Sequence, residues 1–219
     1  MTRAEEIAAS VAAVRERIAA AAARAGRDPA SVTLVAIGKT KPLEDLLAAA
    51  AAGVGHFGEN RVQEAEEKFP ALPAATVRHL VGPIQSNKAN RAARIADVVE
   101  TVASAEIAGR LARGAETAGK RLKVLIEVRL GSETTKAGIE PEGAAALADA
   151  VRAFPALDLA GLMTIPPPGE TRPHFATLRR LAERLGLSEL SMGMTDDFEA
   201  AIEEGATLVR IGTAIFGSR

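Results

Sequence analysis

The 219-residue sequence contains no cysteine, no tryptophan and no tyrosine. Without cysteine there is no disulfide framework, no thiolate zinc site and no cysteine nucleophile, and the composition suits a reducing compartment. Without tyrosine, no phenol is available as an acid or base. An excess of one charge is missing too: 27 Lys and Arg stand against 28 Asp and Glu, a net charge of -1. No global field draws nucleic acid or an anionic membrane, so any anion site must be local. No stretch approaches the roughly 20 apolar residues of a membrane-spanning helix, and Met1-Thr2-Arg3-Ala4-Glu5-Glu6 is followed by no apolar signal core. A soluble, cytoplasmic protein is expected. Apolar residues are plentiful, at 47% of the chain, enough to fill a sizeable core.

Several motifs are also missing. No Gly-x-Gly-x-x-Gly follows the first apolar run, which removes the dinucleotide fingerprint. Gly38-Lys39-Thr40 resembles the end of a P-loop, but Thr33 stands where the first glycine of that motif is required. His56, His79 and His174 have no i,i+4 partner and no carboxylate pattern suited to a metal, so no metal site is expected, and His79 within an apolar run reads as a core histidine. Glu59 and Glu127 could act as acid or base, although solvated or capping carboxylates are commoner.

What the sequence does have is alternation. An Ala/Arg/Glu-rich helix over about Ala4 to Ala25 is followed by short apolar strands at Val32 to Gly38, Val54 to Phe57, Val77 to Val81, Val98 to Val102, Val124 to Leu130, Leu157 to Ile165, Leu190 to Met192 and Leu208 to Ile211. Amphipathic helices lie between them, and no flexible linker divides the chain. Parallel βα units at this spacing close most simply into a (β/α)₈ barrel of the TIM type, one domain over residues 1–219. A doubly wound open sheet is the alternative. Little sequence follows the eighth strand, so the final helix is expected to be truncated and the opening helix to cover the gap.

Barrels of this class carry their chemistry at the C-terminal ends of the strands. Strand one ends at Lys39, before Thr40-Lys41-Pro42. A lysine delivered there by a core strand could hold an aldehyde as a Schiff base, because only a neutral amine attacks a carbonyl and burial favours that form. A solvated lysine at a strand end is the ordinary alternative. Strand two runs into Gly58-Glu59-Asn60, strand three into Gly82-Pro83-Ile84-Gln85-Ser86-Asn87-Lys88, and strand five into Ser132-Glu133-Thr134-Thr135-Lys136-Ala137-Gly138. The last two strand ends read as a phosphate cup. Thr195 is placed as the N-cap of a helix whose free N–H groups favour an anion, and Gly212-Thr213 lets backbone amides approach that anion closely.

Together these segments resemble the pyridoxal 5′-phosphate homeostasis proteins, single-barrel relatives of the alanine racemase N-terminal domain. The likeness lies in Lys39-Thr40-Lys41-Pro42, Phe57-Gly58-Glu59-Asn60, Gly82 to Lys88, Thr135-Lys136-Ala137-Gly138, Gly161-Leu162-Met163, Leu190-Ser191-Met192-Gly193-Met194 and Val209 to Gly217, in order along most of the chain. The resemblance implies that Lys39 carries pyridoxal 5′-phosphate (PLP) as a Schiff base, with Thr195, Gly212 and Thr213 on the phosphate. It also implies that Arg210 lies by the pyridine nitrogen, Asn60 by the ring face and Ser191 at the phosphate end. An arginine beside that nitrogen disfavours a second positive charge and makes the ring a poorer electron sink.

The expected role is therefore PLP homeostasis without strong turnover, with PLP-dependent enzymes as recipients and a monomer as the expected form. A racemase-like enzyme and a phosphosugar-binding barrel are the alternatives. Against a racemase, no tyrosine supplies a second base. The sequence departs from the family pattern at Gly38, where Ser is usual, at Arg61, where Tyr is usual, and at Thr195, where Ser is usual. It leaves open a second PLP site around Lys88 or Lys136.

Overall fold

The computed structural model describes residues 1–131 and 137–218. Among these residues, eight parallel strands form a closed barrel in sequence order: β1 (Thr33–Ile37), β2 (His56–Glu59), β3 (Val77–Leu80), β4 (Val98–Val102), β5 (Leu122–Glu127), β6 (Leu157–Met163), β7 (Glu189–Ser191) and β8 (Leu208–Ile211). β1 pairs with both β2 and β8, which closes the ring. The sheet is closed, and the open-sheet alternative is discarded.

The opening helix α1 (Arg3–Arg24) starts on a capping box: the Thr2 hydroxyl accepts from the Glu5 N–H, and the Glu5 carboxylate accepts from the Thr2 N–H. Its buried face carries Ile7, Val11, Val14, Ile18, Ala21 and Ala22, at the 3–4 residue spacing of one helical stripe. The βα helices are α2 (Leu43–Ala51), α3 (Val62–Lys68), α4 (Ala89–Ile95), α5 (Ala105–Thr117), α6 (Ala144–Arg152), α7 (Arg172–Leu185) and α8 (Phe198–Glu203). Among the described residues, β8 is followed by the single-turn α9 (Thr213–Phe216). α1 packs against α8, α2 and α9, and so covers the gap that the short α9 leaves in the outer ring. The Arg3 guanidinium ties this seam by donating to Asp45 on α2 and to the Phe216 carbonyl.

The strands explain the two-layered core. Along β1, Leu34 and Ala36 face the helices, and Val35 and Ile37 pack inside the barrel with Val81 and Leu208. A second interior group joins Val98, Leu125 and Met163. The larger apolar layer lies between barrel and helices, with Phe57, Phe69, Phe175, Phe198 and Phe216 fully buried. Gly161 is needed for its lack of a side chain, because a Cβ there would stand 1.9 Å from the Glu189 carbonyl oxygen on β7.

Only β4 and β8 have both of their expected edges. β1, β3 and β7 are off by one residue at one or both ends, β2 runs His56–Glu59 rather than Val54 to Phe57, β5 runs Leu122–Glu127 rather than Val124 to Leu130, and β6 stops at Met163 rather than Ile165. β2 and β5 carry polar residues within the strand, with His56 and Glu127 facing the barrel interior and Glu59 facing Lys68 on α3, so the apolar run in the sequence and the hydrogen-bonded strand do not coincide.

Candidate functional site

At the C-terminal end of the barrel a cavity of about 260 Å³ is lined by Ile37, Lys39, Asn60, Val81, Ile165, Met194, Thr195, Asp196, Arg210, Gly212 and Thr213. Six of the seven residues singled out from the sequence therefore meet at one place. Lys39 is half-buried at the end of β1, and Thr40 beside it adopts φ 63°, in the left-handed region that a β-branched residue rarely enters. The Thr40 N–H is held by the Glu64 carboxylate at 3.0 Å. Lys41 Nζ donates to the carbonyls of Phe216, Gly217 and Ser218, which locks the loop after β1 to the chain after β8.

Behind the lysine lies a buried charge cluster. Lys68 Nζ donates to Glu59 Oε1 and to the Gly38 carbonyl, both at 2.9 Å, and to Glu64 Oε2 at 3.3 Å. Glu59 is fully buried, and its Oε2 has no hydrogen-bond partner. Burial pushes the Glu59 carboxyl above its ordinary range, against the hydrogen bond and charge of Lys68. Glu127 is also buried, and burial raises it in the same way, with the Arg210 charge opposing. Neither is the solvated carboxylate that ordinary statistics favour.

Gly38 fits this cluster. A Cβ there would lie 2.8 Å from Glu59 Oε1 and 2.8 Å from Leu46 Cδ2, so the position has no free room for the usual Ser. Arg61 stands at the N-cap of α3 and, with Lys88, lines an adjoining open groove of about 640 Å³ rather than the cavity of Lys39. Ser132, Glu133, Thr134, Thr135 and Lys136 lie outside the described residues.

Two assignments change. Thr195 does not cap α8: the N-cap is Asp197, whose carboxylate accepts from the Met194 N–H at 2.7 Å. The Thr195 hydroxyl instead accepts from the Ala214 N–H at 3.4 Å, in the first turn of α9, and faces the same cavity as Gly212 and Thr213. Ser191 does not line the cavity at all. It is buried under Arg210, where its hydroxyl accepts from Arg210 Nη1 at 2.6 Å and donates to Glu100 Oε2 at 2.5 Å. Arg210 Nη2 donates to the Thr164 carbonyl at 2.9 Å. Glu100 was not singled out in the sequence. Its signal was a charged residue in the middle of Val98-Val99-Glu100-Thr101-Val102, a run in which every residue is buried.

The family described as alanine racemase, N-terminal domain, matches residues 9–219. The chain is 47% identical over 220 residues to the pyridoxal phosphate homeostasis protein of Pseudomonas aeruginosa, covering 97% of this chain and 96% of that one. The chain belongs to the pyridoxal phosphate homeostasis protein family. The protein of that name from Escherichia coli is 41% identical over 227 residues, covering 98% of this chain and 97% of the relative. Among solved structures, PipY of Synechococcus elongatus, with PLP bound, superposes with a TM-score of 0.83 at 36% identity, covering 96% of this chain and all of that one. The barrel is thus the alanine racemase N-terminal domain fold. Among the described residues, no helix is long and apolar enough to cross a membrane.

The residues present suit a phosphorylated aromatic aldehyde. Where α9 opens, the Ala214 N–H is taken by the Thr195 hydroxyl and the Ile215 and Phe216 N–H groups by the Gly212 carbonyl, which leaves the N–H groups of Gly212 and Thr213, with the hydroxyls of Thr195 and Thr213, as a donor set for an anion. Ile165 and Met194 leave large apolar side chains exposed at the cavity, as walls for a ring. Lys39 supplies the amine and Arg210 a fixed positive charge.

Proposed function

We propose that this chain holds pyridoxal 5′-phosphate as a Schiff base on Lys39 and keeps it available in the cytoplasm, as a monomer, for PLP-dependent enzymes, without strong turnover of its own. The supporting observation is the meeting of an amine, a hydroxyl and amide donor set and a buried guanidinium in one cavity of about 260 Å³. When bound, the cofactor supplies an aldehyde that condenses with an amine. The chain's own residues orient it. Thr195, Thr213 and the amides of Gly212 and Thr213 would hold the phosphate, Asn60, Ile165 and Met194 would flank the ring, and Arg210 would face the pyridine nitrogen. A guanidinium there disfavours protonation of that nitrogen, which weakens the ring as an electron sink. No tyrosine exists in the sequence to serve as a second base on the far face. Weak turnover is the expected consequence.

Visible absorbance of the purified protein and of Lys39→Ala, before and after borohydride reduction, with peptide mapping of the reduced adduct, tests the attachment. A yellow protein whose adduct maps to Lys39 is the expected result. A protein that stays colourless with added PLP overturns the assignment and leaves the phosphosugar barrel. Amino-acid racemisation at roughly 1 per second or faster would overturn the claim of weak turnover.

A further inference from the structure

Five side chains from five strands form an unbroken hydrogen-bonded line through the barrel interior. His56 Nδ1 on β2 lies 2.9 Å from His79 Nε2 on β3, and His79 Nδ1 lies 2.7 Å from Glu100 Oε1 on β4. Ser191 on β7 then links Glu100 Oε2 to Arg210 on β8, at 2.5 and 2.6 Å. Donor chemistry fixes the direction of these bonds. A guanidinium can only donate, so the Ser191 oxygen accepts from it and the single Ser191 proton goes to Glu100. His79 Nδ1–H donates to the other carboxylate oxygen, which leaves Nε2 of a neutral ring to accept from His56 Nδ1–H. The hydrogen bonds from both sides converge on Glu100 and require it ionised. Burial pushes the Glu100 carboxyl up, but the hydrogen bond from His79, the Arg210 charge and the Ser191 hydrogen bond outweigh it and hold the group below its ordinary value.

The line has a consequence at the cavity. Glu100 Oε2 stands 4.0 Å from Arg210 Nη1 and meets it through the Ser191 hydroxyl, so the guanidinium has a buried counter-charge held one hydroxyl away, and Glu127 and Asp197 are the other carboxylates whose charge reaches it. The Thr164 carbonyl fixes the second terminal nitrogen. We propose that Glu100 and His79, acting through Ser191, are positioning residues for Arg210, aiming its free N–H groups into the cavity and setting how strongly its charge is felt there.

This inference rests on the PLP reading for its spectroscopic consequence but not for its structural one, and two measurements separate the two. In the unliganded protein, ¹⁵N side-chain NMR of arginine reads the tether directly. Slow rotation of the Arg210 Nη groups is expected in the parent chain. It should be lost in Ser191→Ala and Glu100→Gln, recovered in Ser191→Thr, and kept in Thr101→Val, the neighbour of Glu100 on β4, whose hydroxyl donates to the Gly82 carbonyl after β3 and takes no part in the line. Unchanged Arg210 signals in Ser191→Ala and Glu100→Gln would overturn the proposal whether or not PLP binds. In the PLP-loaded protein, Glu100→Gln removes a negative charge behind Arg210, so the pH midpoint of the visible band should fall by about half a unit or more. The Thr101→Val control should not move. Equal midpoints in Glu100→Gln and the parent would also overturn the proposal, whereas failure of the parent to take up PLP would overturn only the cofactor reading. If Glu100→Gln does not fold, Ser191→Ala, which keeps the carboxylate, carries the NMR comparison.

Discussion

Replacing Lys68 by methionine tests the cluster that fixes the backbone in front of Lys39. The ammonium has three partners, Glu59 Oε1 and the Gly38 carbonyl at 2.9 Å and Glu64 Oε2 at 3.3 Å, and its side chain is only 12% exposed. Glu59 loses its one charged donor in the variant, and its second oxygen already has none. Stranding a buried charge in this way costs about 3–5 kcal/mol at neutral pH, and the more exposed Glu64 pair adds little. The cost must depend on pH. Glu59 is already raised above its ordinary 4.5 by burial, and the hydrogen bond and charge of Lys68 are the main forces pulling it down. Without them it rises further, and the folded chain then holds a proton that the unfolded chain has released. Below pH 4.5 Glu59 is protonated in both states and the variant suffers least. Its deficit grows as pH rises toward the higher folded value, since the unfolded state then binds fewer protons. Urea unfolding at several values between pH 5 and 8 should therefore show a larger loss at pH 8, and Lys68→Met/Glu59→Gln should recover most of it. A loss below about 1 kcal/mol at pH 8, or one that is the same at both ends of the range, would refute the reasoning.

Thr40→Gly should stabilise the protein. Relief of the left-handed strain is worth roughly 1–2 kcal/mol for a non-glycine residue, a more flexible unfolded chain takes back about 0.4–1 kcal/mol, and the exposed Thr40 side chain gives up little packing. A urea midpoint that falls would contradict this. Gly38→Ala should destabilise by about 1–3 kcal/mol through overpacking on Leu46 and Glu59. Gly38→Ser should be milder, because its hydroxyl can donate to the unpartnered Glu59 oxygen, so a Ser variant weaker than the Ala one would count against that account. Burial, the neighbouring His79 and Lys123 push His56 down to about 4, despite Glu100. His56 should stay neutral at pH 7 by NMR titration, and stability should fall as pH drops from 6.5 toward 4, where the unfolded state binds the extra proton. A His56 midpoint near 6.5 would show that the ring is not in the hydrogen-bonded line.

The alternation of strands and helices was legible because each βα unit carries its own local pattern, a β-branched run followed by an amphipathic stretch. β4 and β8 occur over Val98 to Val102 and Leu208 to Ile211, as expected from sequence. Lys39, Asn60, Arg210, Gly212 and Thr213 were legible for a related reason: each sits at or just beyond a strand end, and in this fold position along the strand is position in space. Thr195 was found as a cavity residue but for the wrong cause. The sequence offered the helix starting near it as the partner for its hydroxyl, and the N–H that the hydroxyl accepts belongs to Ala214, which is distant in sequence and adjacent only because β7 and β8 pair.

The interior line was the part hidden from the sequence, and the reason is physical. Inside a closed barrel, water is excluded and a polar side chain is tolerated only when another strand supplies its partner. Glu100 finds Ser191 91 residues away and His79 21 residues away. Neither spacing has a local signature. What the sequence did display was the anomaly without its solution: Glu100, Glu127 and Arg210 each interrupt a run that otherwise reads as buried strand. Such interruptions are costly alone, with a stranded charge in the low-dielectric interior losing several kcal/mol. Their presence in separate strands of one chain therefore implies that they satisfy one another in the fold. Two do so here through Ser191, and Glu127 remains with an unpartnered oxygen. A residual of this kind is expected where the barrel opens to a ligand, because an interior fully satisfied within itself would leave Arg210 no free edge to offer.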